Sequence, residues 1–280
     1  MESELSVSKI PKIAHFYWGN ERLSYLRYLT LYSFAKYNPN WTIYLYQPKM
    51  LQKKITWSTP EQKFTITGPD YYNKLDTLKI HRVTFDMEPL GLSNQLSEVI
   101  KSDFIRWSLL STVGGVWSDM DILFFKPLNL SIIGNADTVV CQTHIPKTTF
   151  WSIGFLMSCP NNAFYSFLNE KAKQHPTPSA YQEVGTLFVR SLFKSVSQIM
   201  DTFPGLNVYD LPSSVVYPIL DIPAIYDQNY AKSLFVADTI GLHWYGGFNL
   251  SGEYQNKITE TTYGNYNNTL CHLIRNVVEQ

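Results

Sequence analysis

The chain has 280 residues, 23 of them basic and 23 acidic, and so carries no formal net charge. That balance gives no support to a nucleic-acid-binding or membrane-surface protein. One large domain, or a domain with an appended lobe, with a substantial core is expected at this length, and no stretch approaches the 18 or so apolar residues of a transmembrane helix.

Residues 1–9 are polar and serine-rich, without the charged and apolar regions of a secretory signal. Cys141, Cys159 and Cys271 are widely spaced and odd in number, which fits free thiols better than a disulfide framework or a zinc site. A cytoplasmic location is therefore expected, and peripheral attachment at an inner membrane face is compatible with it. Residues 10–18 have the β-rich content and proline-bounded start of a first strand. Leu23 to Tyr37 reads as a helix stopped by Asn38-Pro39, and Trp41 to Tyr46 as the next strand, closing at Gln47-Pro48. This strand–helix–strand order predicts a βαβ unit in a mostly parallel sheet. Residues 49–75, punctuated by Lys53-Lys54, Pro60 and Gly68-Pro69, read as a loop or small helical insertion. Ile80 to Phe85 reads as a strand. A long helix then starts at Ser93-Asn94 and runs through Leu96, Val99, Ile100, Phe104, Trp107 and Leu110 to Gly114-Gly115.

The next residues are Val116-Trp117-Ser118-Asp119-Met120-Asp121. In an extended segment alternate side chains share a face, so Asp119 and Asp121 are expected to converge on one point. Hard cations such as Mg²⁺ and Mn²⁺ take oxygen ligands, and one or two carboxylates suit a metal shared with a substrate's phosphates. Asp-x-Asp alone is a common pattern, so its surroundings decide its weight. Asp103 and Arg106, three apart on one helical face, sit among Phe104, Ile105 and Trp107, which favours a partly buried pair over a solvated one. Trp18, followed by Gly19 at a strand end, lies where open α/β sheets bind ligands; a plain core aromatic is the alternative. His243 follows a short apolar stretch and reads equally as a hydrogen-bonded structural residue and as a ligand.

Further on, Ala136 to Cys141 and Ile153 to Met157 read as strands around an irregular segment, His144 to Trp151. Helices are expected at about 161–174, 181–200 and 265–278, with low regularity at 202–232.

The run Ser102-Asp103-Phe104-Ile105-Arg106, then Gly114-Gly115-Val116-Trp117-Ser118-Asp119-Met120-Asp121 and Lys126-Pro127-Leu128, resembles the sugar-binding region of the DXD-containing glycosyltransferases of family 32. That group is related to the clostridial glucosylating toxins and to capsular and lipopolysaccharide sugar transferases. Ile10 to Gly19 and Leu242 to Gly247 support the resemblance.

It implies an α/β, Rossmann-like fold of the GT-A kind: one domain over 1–280, with a donor-binding half at about 1–128 and an acceptor-facing lobe at about 129–280. It implies that Asp119 and Asp121 hold Mn²⁺ or Mg²⁺ with the donor's ribose and diphosphate, and that Asp103 and Arg106 bind the donor sugar's hydroxyls; Arg106 is also expected to be catalytic, assisting the cation in stabilising the leaving diphosphate. Trp18 would stack on the base, with the backbone of Phe16 and Tyr17 beside it. His243 and Trp244 would close over the diphosphate, His243 as a phosphate contact or third metal ligand. The implied reaction moves a hexosyl unit, with retention, from a nucleotide sugar, by preference a UDP-sugar, to a glycan or glycolipid hydroxyl in polysaccharide biosynthesis. No nucleic-acid partner is expected. Where many relatives show a Gly-Pro step, this chain has Glu183-Val184-Gly185-Thr186, so no acceptor-side residue is assigned there.

Three other classes fit less well. A two-carboxylate hydrolase needs its acid and base roughly 5–9.5 Å apart across a bond, not converging. A transferase acting on a protein or DNA base would share the donor site and differ in the acceptor lobe. A non-catalytic sugar-binding protein would be expected to have lost a metal ligand.

Overall fold

A computed structural model describes residues 8–52, 65–145, 148–227 and 232–279. Along these residues the chain forms β1 (Ile13–Tyr17), α1 (Tyr25–Tyr37), β2 (Thr42–Pro48), β3 (His81–Phe85), α2 (Glu98–Thr112), β4 (Gly115–Ser118), β5 (Ile122–Phe124) and β6 (Thr138–Val140). There follow β7 (Gln142–Ile145), β8 (Thr148–Trp151), β9 (Phe155–Ser158), α3 (Ala163–Lys173), α4 (Thr186–Leu192), α5 (Val196–Thr202) and β10 (Val208–Asp210). The last elements are α6 (Ile222–Tyr226), β11 (Gly241–His243), α7 (Asn249–Lys257) and α8 (Thr269–Val278).

The core is a seven-stranded sheet in the order β10-β6-β9-β4-β1-β2-β3, so the expected mostly parallel α/β architecture is present. Only β9 runs antiparallel to its neighbours, β4 and β6. From β1 the chain moves outward to β2 and β3, then returns through α2 to place β4 on β1's other side. The reversal makes the carboxyl ends of β1 and β4 a topological switch point, where crevices open in such sheets. Trp18 and Asp119 each follow one of those ends.

Period-two alternation divides the sheet's side chains between two cores. Ala14, Phe16, Val116, Phe155 and Met157 pack on one face with α1 and α8. Tyr17, Trp117 and Leu156 pack on the other with α2, α3 and α4. Helix α1 is apolar nearly all round, and residues 25–31 are buried without a break, as suits a helix covered on every side. The double glycine brings α2 into β4: Gly114 and Gly115 have φ of 71° and 99°, and a Cβ on Gly115 would lie 2.4 Å from the Ile13 carbonyl oxygen. Both the backbone conformation and the close approach to β1 require glycine.

Several sequence expectations are corrected. Helix α2 begins after Ser97, because the Asn94 side chain is engaged by the Met87 N–H and by Asp86 and Glu88. The stretch His144 to Trp151 is not irregular: β7 and β8 pair antiparallel, with Thr143 bonded to Ser152 at 2.6 Å and His144 to Thr149 at 2.9 Å. Residues 181–200 are two short helices, because Phe193 turns extended and Ser195 caps a new start on the Gln198 N–H. At the end of 49–75, and running two residues past it, a 3-10 turn spans Tyr72–Thr77, and Lys53, Lys54 and Pro60 lie outside the described residues. Helix α7 was not anticipated. The three cysteines are free, and among the described residues no helix is long and apolar enough to cross a membrane.

Candidate active site

Asp119, Met120 and Asp121 form the turn that carries the chain from the main sheet into a second sheet of β5 and β11. The Asp119 N–H donates to the Gly154 carbonyl at 2.7 Å, extending the β4–β9 ladder by one bond, and the Trp244 N–H donates to the Asp121 carbonyl at 2.9 Å, extending β5–β11. Between them the Met120 carbonyl accepts from the Thr30 hydroxyl of α1 at 2.9 Å. The aspartates do converge, but the expected cause is corrected: a pinned turn between two sheets, not alternation along one strand, brings them together. Strand β11 adds His243. One ligand atom from each of Asp119, Asp121 and His243 lies within 4.8 Å of the others.

Each carboxylate is held by one oxygen. Asp119 Oδ1 accepts from Arg106 Nη2 at 3.0 Å and from Trp117 Nε1 at 2.9 Å. Asp121 Oδ2 accepts from the Gly246 N–H at 2.8 Å and faces Arg27 Nη1 at 3.8 Å. The second oxygen of each is turned to the site. Asp121 Oδ1 is buried without an aligned donor, although His243 Nε2 stands 3.1 Å from it; the pair has the distance of an ion pair without the direction of a hydrogen bond. Burial pushes the Asp121 carboxyl up, but His243, Arg27 and the Gly246 amide outweigh it and hold the group below the usual carboxylate range. A buried acceptor left unpaired beside an imidazole nitrogen and a second carboxylate is the donor set a divalent cation takes.

The Asp103–Arg106 pair is buried as expected, at 4% and 3% exposure, with Arg106 Nη1 donating to Asp103 Oδ1 at 2.8 Å. Arg106 also lies over the rings of Trp107 and Trp117. Its planar fork thus joins the sugar-recognition aspartate of the resemblance to Asp119. Gly185 lies against Asp103: a Cβ there would come within 2.6 Å of Asp103 Oδ2.

Trp18 is half-buried and donates through Nε1 to the Arg22 carbonyl at 2.9 Å. One face of its ring is covered by Arg27, whose guanidinium sits 4.7 Å from the ring centroids of both Trp18 and Trp244. Trp244 itself is 1% exposed, so its ring holds Arg27 in place and its backbone holds Asp121. Phe16 is fully buried against Phe34, and Tyr17 turns its hydroxyl to Glu98 on the opposite face. Neither side chain reaches the cluster; only their backbones lie along the strand that ends at Trp18.

Sequence reasoning missed four contributors. Arg27 was visible as the one charged residue in the apolar stretch Tyr25–Ala35. Trp117 lies two residues before Asp119 yet bonds it. Gly154 admits Asp119: a Cβ there would meet Asp119 Oδ2 at 2.7 Å and the Tyr217 hydroxyl at 3.0 Å. Tyr217 is buried, its ring 5.0 Å from that of His243, and no local pattern marked it.

A family model described as capsular polysaccharide synthesis protein matches residues 88–182, the stretch that contains Asp103, Arg106, Asp119, Asp121 and Gly154. No curated protein matches the chain. Solved structures similar to it include the PaToxG glycosyltransferase, 16% identical over 69% of this chain and 74% of that one, with a TM-score of 0.47. The glycosyltransferase GlyE in Streptococcus pneumoniae TIGR4 is 11% identical over 96% of this chain and 60% of that one, with a TM-score of 0.48. The galactosyltransferase LgtC, in complex with donor and acceptor sugar analogs, is 10% identical over 90% and 99%, with a TM-score of 0.41. Likenesses this distant bear on neither substrate nor activity.

Proposed function

We propose that the chain is a metal-dependent glycosyltransferase of the GT-A kind, which moves a hexosyl unit from a nucleoside diphosphate sugar to a hydroxyl of a glycan or glycolipid. The observation that carries this reading is the Asp119–Asp121–His243 cluster at the switch point, in which each carboxylate has one oxygen anchored by the protein and one turned to the site. Three carboxylates here (Asp103, Asp119, Asp121) face two guanidiniums (Arg27, Arg106), leaving a negative site that suits a dication. The resemblance to family 32 at Asp103–Arg106 and Asp119–Asp121 supports the same reading, as does the match to a capsular polysaccharide synthesis family.

In this reading Asp119, Asp121 and His243 hold Mn²⁺ or Mg²⁺. Such a cation, when bound, supplies Lewis-acid stabilisation of the charge that develops on the leaving diphosphate. Arg106 orients Asp119 and, with Asp103, contacts the donor sugar's hydroxyls. Trp18 offers the base the ring face that Arg27 does not cover, and a one-ring uracil suits that strand end, so UDP-sugars are the preferred donors. Retention follows from the family resemblance, with a diphosphate oxygen taking the acceptor's proton and no separate base. A glycan acceptor accords with the family match, while the zero net charge weighs against a DNA-base acceptor. A non-catalytic sugar-binding role is disfavoured because the full ligand set is present.

The experiment is a screen of nucleotide sugars for Mn²⁺-dependent hydrolysis and for thermal stabilisation of the protein. Turnover of a UDP-hexose with cation and none with chelator is expected. Absence of both turnover and stabilisation across donors, with and without cation, would overturn the reading.

A further inference from the structure

The hydroxyl of Tyr217 is a polar group that the fold buries and leaves without a hydrogen-bond partner. Its place is set by backbone. The Val215 carbonyl accepts the Ile240 N–H at 2.9 Å and the Val216 carbonyl accepts the His243 N–H at 2.8 Å, so the next residue arrives against the His243 ring. Its phenol then reaches the side-chain face of Gly154. A Cβ on Gly154 would lie 3.0 Å from the Tyr217 oxygen and 2.7 Å from Asp119 Oδ2, so the hydroxyl and the site-facing carboxylate oxygen share that space. The other Asp119 oxygen is already taken by Arg106 and Trp117. Phenylalanine would fill the same volume without a stranded donor, so packing alone does not account for the hydroxyl.

We infer that Tyr217 is a donor-contacting residue, whose hydroxyl gives its hydrogen to a phosphate oxygen of the nucleoside diphosphate held at Asp119, Asp121 and His243. The inference rests on the function proposed above and adds a contact to it. A neutral hydroxyl beside two carboxylates is useful there as a donor, and its partner must be an acceptor oxygen that enters with the ligand. Because the atom is buried beside Asp119 and the His243 ring, that oxygen belongs to the part of the ligand nearest the cluster, which in this reading is the diphosphate. A neutral donor also grips phosphate without competing with the cation for the carboxylates, as a further lysine or arginine would.

The test compares wild type with Tyr217→Phe in three measurements: melting temperature without ligand, affinity for Mn²⁺ alone, and affinity for UDP and for GDP in saturating Mn²⁺. The variant is expected to melt at or above the wild-type temperature and to bind Mn²⁺ equally well. It should bind the preferred nucleotide about 10- to 150-fold more weakly, the range for a lost hydrogen bond to a charged group. Equal nucleotide affinity would overturn the inference. An equal loss in Mn²⁺ affinity alone would overturn it too, since the contact would then be to a metal-bound water. A clear fall in the ligand-free melting temperature would make the hydroxyl structural and would likewise overturn it. If the wild-type chain binds neither nucleotide with Mn²⁺, the proposed function falls, and this inference with it.

Discussion

His243 Nε2 lies 3.1 Å from Asp121 Oδ1, yet that oxygen is buried without an aligned hydrogen-bond donor. The two atoms stand in contact without a hydrogen bond, one carried by the turn that leads into β5 and the other by β11. A cation between them and Asp119 would satisfy both.

Asp121→Asn should therefore lower Mn²⁺ affinity by more than the 10- to 100-fold typical of losing an outer-shell partner. The fold should survive, because the amide oxygen can still accept the Gly246 N–H. Mn²⁺ titration followed by electron paramagnetic resonance measures this, and wild-type affinity in the variant would remove Asp121 from the ligand set.

Arg106 is 3% exposed and counters both Asp103 and Asp119. Removing it as Arg106→Met should destabilise the protein by about 3–5 kcal/mol, mostly through loss of the buried ion pair between Arg106 and the Asp103 carboxylate. Arg106→Lys should recover only part of this, because a point charge cannot span two carboxylates as the planar fork does. Urea unfolding distinguishes the cases; full recovery by lysine would show that charge alone matters.

Trp18→Ala should weaken nucleotide binding by about 1–3 kcal/mol, the range for base stacking on an aromatic ring, and leave Mn²⁺ affinity unchanged. Competition between UDP and GDP for the same donor site sets the base preference, with UDP expected to inhibit more tightly. Tighter inhibition by GDP would reverse the donor assignment, and no effect of the substitution on either nucleotide would remove Trp18 from the site.

The fold class was legible because the strands and helices of the first half alternate and carry clear stop signals, as with Asn38-Pro39 after α1. The pairs Asp103–Arg106 and Asp119–Asp121 of the candidate site were legible because their partners are near in sequence. Arg27, Gly154 and Tyr217 were not, because each meets the cluster from a separate segment and is defined by what it approaches in space. The β7–β8 pair escaped for the same reason: threonine and histidine read as loop residues until Thr143 and Ser152 are seen to bond across strands.

His15 offers a pH test away from the site. It is fully buried on β1, with Nε2 donating to the Gly114 carbonyl at 2.8 Å and Nδ1 accepting from the Tyr46 hydroxyl at 3.1 Å. Burial lowers its pKa from 6.5 to about 4, and the Gly114 carbonyl opposes this only in part. The unfolded chain takes up a proton below 6.5 while the folded one does not until about 4. The stability His15 allows is thus complete above the upper value and lost as pH falls across that window, by about 3 kcal/mol in all. His15→Gln should flatten the pH dependence of unfolding between those limits, and an unchanged slope would place His15's titration elsewhere.

A cation held jointly by the three residues is tested directly by diffraction at the manganese absorption edge from crystals grown with Mn²⁺ and UDP. One anomalous peak is expected about 2 Å from Asp121 Oδ1, with Asp119 and His243 completing the protein's share of the coordination and a diphosphate on its open side. A site without the peak, with His243 turned to donate a well-aligned hydrogen bond to Asp121, would contradict it.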